Sequence, residues 1–238
     1  MKKYIFATLF ASGLLLTACD DGYIQESTVS FKEGRVVRIS GTLTGLDGWT
    51  NDYNVAVAGF DGTDEYAVIS KVIPEGTEGQ FSIILSGISD EVTNVQLCVL
   101  DRLRRHVMTF SEMALEQSRD TIYMEVGAQN VSMMNAIQLA YLSTTCANCH
   151  GASNRAAAGL YLTEGRSYGA LVNQPSTNVA GHMLVEPGNA EGSVLHMVLW
   201  QQSVEGISMD HHDLVSEKNA QSILPLIDSW INNGAKEN

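Results

Sequence analysis

From about residue 29 to residue 126 the hydrophobic positions recur with a period near two. Val37, Ile39 and Leu43 alternate with polar residues; Tyr53, Val55 and Val57 follow, then Tyr66 and Val68, then Phe81, Ile83 and Leu85. Val95, Leu97 and Val99 form a further run, and Ile122, Met124 and Val126 the last. Each run has strand length, since successive side chains on a strand point to opposite faces. Turn-forming groups such as Asp47-Gly48, Asp61-Gly62 and Pro74-Glu75-Gly76 separate several of them. Short strands in succession, without intervening helices, predict a β-sandwich over residues 29–130. The region resembles the immunoglobulin-like or transthyretin-like modules of exported bacterial proteins.

Near residue 131 the period changes. Met133, Met134, Ile137, Tyr141 and Leu142 fall three and four apart, as on one face of a helix. Farther on, Asn189 can cap a helix over residues 190–200 with Val194, Leu195, Val198 and Leu199 on its apolar side. Ser216 can cap a last helix carrying Ile223, Ile227, Trp230 and Ile231, which Gly234 closes and Pro225 kinks or divides. The expected fold class is two-domain: an N-terminal all-β sandwich followed by a C-terminal all-α domain over residues 131–238.

The chain begins differently from either region. Lys2 and Lys3 precede an apolar run over residues 5–16, too short to span a bilayer comfortably. Leu16-Thr17-Ala18-Cys19 then resembles the bacterial lipoprotein signal, in which a small-residue cleavage site stands directly before the cysteine that becomes lipidated. The alternative is an ordinary secretory peptide with a coincidental cysteine, and export follows from both. Residues 1–18 are thus expected to be a signal peptide, and residues 19–28 a polar tether anchored through Cys19. That places the protein in the bacterial cell envelope, facing the periplasm or the outer surface. The net charge is −13, and without Lys2 and Lys3 the basic residues fall from 14 to 12 against 27 acidic ones, a net of −15. Such a surface repels nucleic acid.

The candidate chemistry lies in Cys146-Ala147-Asn148-Cys149-His150. On a helix the two sulfurs stand about one turn apart, so both can form thioethers with one porphyrin edge, and the histidine that follows can face the iron. One ring nitrogen of His150 then binds the metal, and the other is expected to donate to a backbone carbonyl. Two other readings of the five residues are a thioredoxin-like redox pair and half of a zinc site. The first asks for a βαβ setting and the second for another close ligand pair. His211-His212 is the nearest such pair, and adjacent residues point in different directions on regular structure.

Residues 142–235 resemble small bacterial cytochrome c domains along almost their whole length. The elements are Gly151 after the haem motif, Gly159-Leu160-Tyr161-Leu162, Leu171-Val172, Val185-Glu186-Pro187-Gly188, Ser193-Val194-Leu195 and Trp230-Ile231-Asn232-Asn233-Gly234-Ala235. The resemblance implies one covalent haem c and a last helix packed across the first. It also implies a distal methionine, for which Met209 has the right place in chain order. Asp210 follows it where the family commonly has proline, then His211 and His212, so either histidine is an alternative distal ligand. An open iron position is the third possibility.

The function expected is one-electron transfer between a membrane donor and another exported redox protein. Its rivals are a peroxidase-like or small-ligand-activating haem enzyme, and a partner- or glycan-binding lipoprotein with an accessory redox segment. Two further features are expected to be structural. Cys98, inside a strand-like run, reads as a core thiol, and Arg102, Arg104, Arg105 and His106 read as a solvated strand end, with partner docking as the alternative.

Overall fold

Seven strands emerge from the alternating region: β1 (Arg35–Thr44), β2 (Tyr53–Phe60), β3 (Ile69–Val72), β4 (Gly79–Ile88), β5 (Asn94–Asp101), β6 (His106–Ala114) and β7 (Ile122–Asn130). The computed structural model describes residues 34–63, 65–151 and 155–238. The signal segment, Cys19 and the tether lie outside the described residues. Two sheets form, in the orders β4-β1-β7 and β3-β2-β5-β6. Every pairing is antiparallel except β1 with β7, which is parallel. Inward-facing Val37, Ile39, Leu43, Phe81, Ile83, Met124 and Val126 of the first sheet meet Val55, Val57, Val95 and Leu97 of the second in one buried cluster. Burying each such side chain fully is worth about 1.5–3 kcal/mol.

Two strands differ from the sequence pattern. Tyr66 and Val68 are exposed and precede β3; Tyr66 makes an isolated bridge to Arg105, whose guanidinium also donates to the Tyr66 hydroxyl at 3.0 Å. β6 has no counterpart in the alternation, because irregularities in its register against β5 put Val107 and Met108 in succession on buried positions. Its lead-in is the arginine turn. Asp101 accepts from the Leu103 and Arg105 backbone N–H groups, Arg102 pairs with Asp52 at 2.8 Å, and Arg104 donates to the Ala67 carbonyl at 2.7 Å. Cys98 is fully buried between Leu97 and Val99.

The second half corrects the expected fold class. Its helices are α1 (Met133–Ile137), a π-helical segment (Gln138–Cys146), α2 (Ala147–His150), α3 (Ser167–Leu171), α4 (Val194–Trp200) and α5 (Glu217–Asn232). Among the described residues only α5 and the joined run over residues 133–150 exceed three turns, and isolated bridges join Val172 to Val185 and Pro175 to Met183. Among the described residues no all-α cytochrome c-like domain stands beside the sheets; the architecture is mixed α and β. The physical reason is twofold. Gly151, Gly159, Gly165, Pro175, Gly181, Pro187 and Gly188 cut the chain into short pieces. The helical pieces also do not close a core alone: Tyr53, Val99, Val107 and Met108 from the sheet join Met134, Ile137, Tyr141, Ile227 and Trp230 in one cluster.

A polar seam accompanies that shared core. The Trp49 indole donates to the Val131 carbonyl at 2.8 Å, Thr50 and Ser229 exchange a hydroxyl bond at 2.9 Å, and Asn233 donates to the Gly48 carbonyl at 2.7 Å. Ser132 and Ser216 cap α1 and α5 by accepting from the Asn135 and Asn219 backbone N–H groups. Asn189 does not cap a long helix. Its side chain accepts from Gly192 N–H and closes a turn instead, so α4 starts only at Val194. Nor does Pro225 divide α5, which runs as one element through it, held by buried Ile223, Leu224, Leu226, Ile227, Trp230 and Ile231.

Candidate cofactor site

Residues 133–150 form one helical run, since the junction residues Ile137, Gln138, Cys146 and Ala147 all have right-handed helical backbone angles. Its middle is wound as a π-helix, a form that recurs at functional positions because it re-aims side chains. Met133, Met134, Ile137, Tyr141 and Leu142 anchor the run in the core. Its far end carries the motif: Cys146 partly buried, Cys149 exposed, and His150 as the last residue of α2.

His150 is clamped by the backbone. Its Nδ1 lies 3.0 Å from the Ala157 carbonyl oxygen, and its own carbonyl accepts from Leu162 N–H at 2.8 Å. A carbonyl only accepts, so Nδ1 carries a proton, and in the neutral ring Nε2 is then the nitrogen with the lone pair. Gln138, itself buried, donates to the Leu162 carbonyl at 3.3 Å and to Ser143 Oγ at 2.8 Å, tying the loop to the helix. The loop turns through two left-handed residues, Ala158 (φ 54°) and Gly159 (φ 69°). At the helix end, a Cβ on Gly151 would run into the Ala147 carbonyl oxygen, so this residue has no room for a side chain.

The thiols are free. Burial pushes the Cys146 thiol up to about 12, with Cys149 adding to the rise. Cys146 also lies inside a helical run, away from any helix N-terminus that would favour a thiolate. A dithiol oxidoreductase needs the opposite, a thiolate stabilised near neutral pH. The zinc reading fares no better, since among the described residues no three His, Cys, Asp or Glu side chains gather to hold a metal ion. A haem iron brings four ring nitrogens and asks the protein for one or two ligands. Two thiols a turn apart, an imidazole oriented through Nδ1 and a glycine where the helix must stop all fit that group.

The distal candidates separate. Met209 is 47% exposed in the loop between α4 and α5. The ring of His211 lies 6.3 Å from that of His150, centroid to centroid, with the planes 19° apart, and its Nδ1 is 3.0 Å from the Met209 carbonyl oxygen. His212 opens a short turn (His212–Leu214) and directs Nδ1 to the Leu199 carbonyl at 3.0 Å. The structure thus brings His150 and His211 together. His182 Nδ1 is bonded to the Gly192 carbonyl, His196 joins Asp228 at 2.8 Å across α4 and α5, and Trp230 is buried with its N–H on the Lys236 carbonyl. The sequence singles out Gly159-Leu160-Tyr161-Leu162 and a backbone carbonyl partner for His150, but that the carbonyl is Ala157's leaves no mark in residue type.

Among the described residues no helix is long and apolar enough to cross a membrane. No protein-family model matches the chain, and no curated protein matches it.

Proposed function

We propose that this chain is an exported, lipid-anchored electron carrier holding one haem c through thioethers from Cys146 and Cys149, with His150 as the proximal ligand. The observation that carries the reading is the clamped His150. Its Nδ1 proton is committed to the Ala157 carbonyl, which fixes the tautomer and ring direction a metal ligand needs. When bound, the group supplies a reversible one-electron couple.

The chain's own residues hold and orient. Cys146 and Cys149 fix the group to one end of a helix that is rooted in the core through Ile137 and Tyr141. Through its bonds at Ala157 and Leu162, the residue 157–162 loop keeps His150 from turning. Trp230 serves the core rather than the group. Residues 1–19 supply the localisation part of the reading, and a membrane donor and a second exported redox protein are the partners it implies.

The test is expression of the full chain in cells equipped for haem attachment. The expected product is coloured, with a covalent mass gain confined to the peptide containing residues 146–150 and lost in the Cys146→Ala, Cys149→Ala double variant. A colourless product without that gain overturns the reading.

A further inference from the structure

We infer that His211, not Met209, is the second axial ligand, making the site a bis-histidine centre closed to external ligands. This rests on the haem-attachment reading above. The first support is spacing. Two imidazoles bound end-on to one metal ion place their centroids about 6–6.5 Å apart, because each metal–nitrogen bond is about 2.0–2.1 Å and each centroid lies about 1.2 Å behind its nitrogen. The rings of His150 and His211 are 6.3 Å apart.

The second support is which nitrogen each ring leaves available. Both rings commit Nδ1 to a backbone carbonyl at 3.0 Å, Ala157 for His150 and Met209 for His211, so in each neutral ring Nε2 is the nitrogen left to bind a metal. His182 and His212 share that bonding, but among the described residues only His211 has its ring set against His150.

The third support is the turn that delivers His211. Asp210 accepts from the backbone N–H groups of His212 at 2.9 Å and Asp213 at 3.3 Å. That closes a tight turn directly after Met209 and separates the two histidines, His212 toward Leu199 and α4, His211 toward His150. Met209 contributes its carbonyl as the anchor for the His211 ring, while its side chain stays half exposed. Two imidazole ligands give a lower reduction potential than a histidine–methionine pair and leave no open position for substrate.

The experiment uses the full chain carrying its haem, read by near-infrared magnetic circular dichroism, by potentiometry and by carbon monoxide binding. Expected are a low-spin bis-imidazole signature, no ready carbon monoxide binding, and an unchanged signature in Met209→Leu. His211→Ala should become high-spin and take up added imidazole, and His211→Met should raise the potential. The wild-type signature stands even if a His211 variant folds poorly. A thioether-to-iron band in the wild type that disappears in Met209→Leu, or a His211→Ala spectrum identical to wild type, overturns this assignment while leaving haem attachment intact. A chain that takes up no haem overturns both.

Discussion

Trp49 donates its indole N–H to the carbonyl of Val131 across 2.8 Å, one residue before the serine that caps α1. Its ring packs against both buried clusters, the one between the sheets and the one around Trp230. Trp49, like Phe110, therefore bridges the core between the sheets and the core that roots the motif helix. Trp49→Phe removes the bond and leaves the carbonyl short of a partner, a loss of about 1–3 kcal/mol. The expected result is one cooperative denaturant transition, shifted to lower midpoint, with strand and helix signals moving together in circular dichroism. Two separate transitions would contradict the shared core.

As free thiols the two motif cysteines should differ sharply. Burial raises Cys146 from an ordinary 9.0 to about 12, whereas Cys149 is exposed. In the folded chain Cys146 thus keeps its proton where the unfolded chain loses it. Its contribution to stability is intact below pH 9 and is lost as pH climbs toward 12. Iodoacetamide at pH 8 should label Cys149 well ahead of Cys146, with Cys146 reacting on unfolding or in strong alkali. Equal labelling rates at pH 8 would refute this, as would apoprotein stability that rises between pH 9 and 11.

The 157–162 loop supplies a paired test. Ala158 pays the cost of a left-handed backbone at φ 54°, about 1–2 kcal/mol for a residue with a side chain. Ala158→Gly should raise the thermal midpoint and Gly159→Ala, at φ 69°, should lower it. Opposite signs at adjacent positions are the signature; equal signs would show that the turn is not the controlling feature.

Gly151→Ala forces a methyl group against the Ala147 carbonyl at the end of α2. The end of the motif helix should shift while the sheets remain intact. The expected outcome is a lower haem-loaded fraction by pyridine haemochrome assay, with strand content unchanged by circular dichroism. Full loading would show that His150 tolerates a displaced helix end.

Five of the strands were legible because alternate positions of each enter the core between the sheets, as Val37, Val55, Phe81, Leu97 and Met124 do, although the opposite face of β2 and β5 is buried as well. β6 was not, since its register irregularities against β5 break that rule. The motif helix was legible to its last residue, because Cys146, Cys149 and His150 carry their chemistry in residue type. Chain order points to Met209, whereas the pairing of the His150 and His211 rings follows from a turn closed by Asp210, which no local pattern encodes. The fold class failed for a related reason: apolar periodicity marks which face of α1 is buried but not that Tyr53 and Val107 from the sheet are among the residues covering it.

The parallel pairing of β1 with β7 has a geometric outcome. Val37 lies opposite Ile122 and Thr44 opposite Asn130, so the chain enters the sheet at one end through β1 and departs through β7 at the other. Ten residues of β1, at about 3.3 Å each, set those ends about 30 Å apart. The two ends of the ladder therefore stand apart by that span, and α1 sets out from the end opposite to the one at which β1 begins.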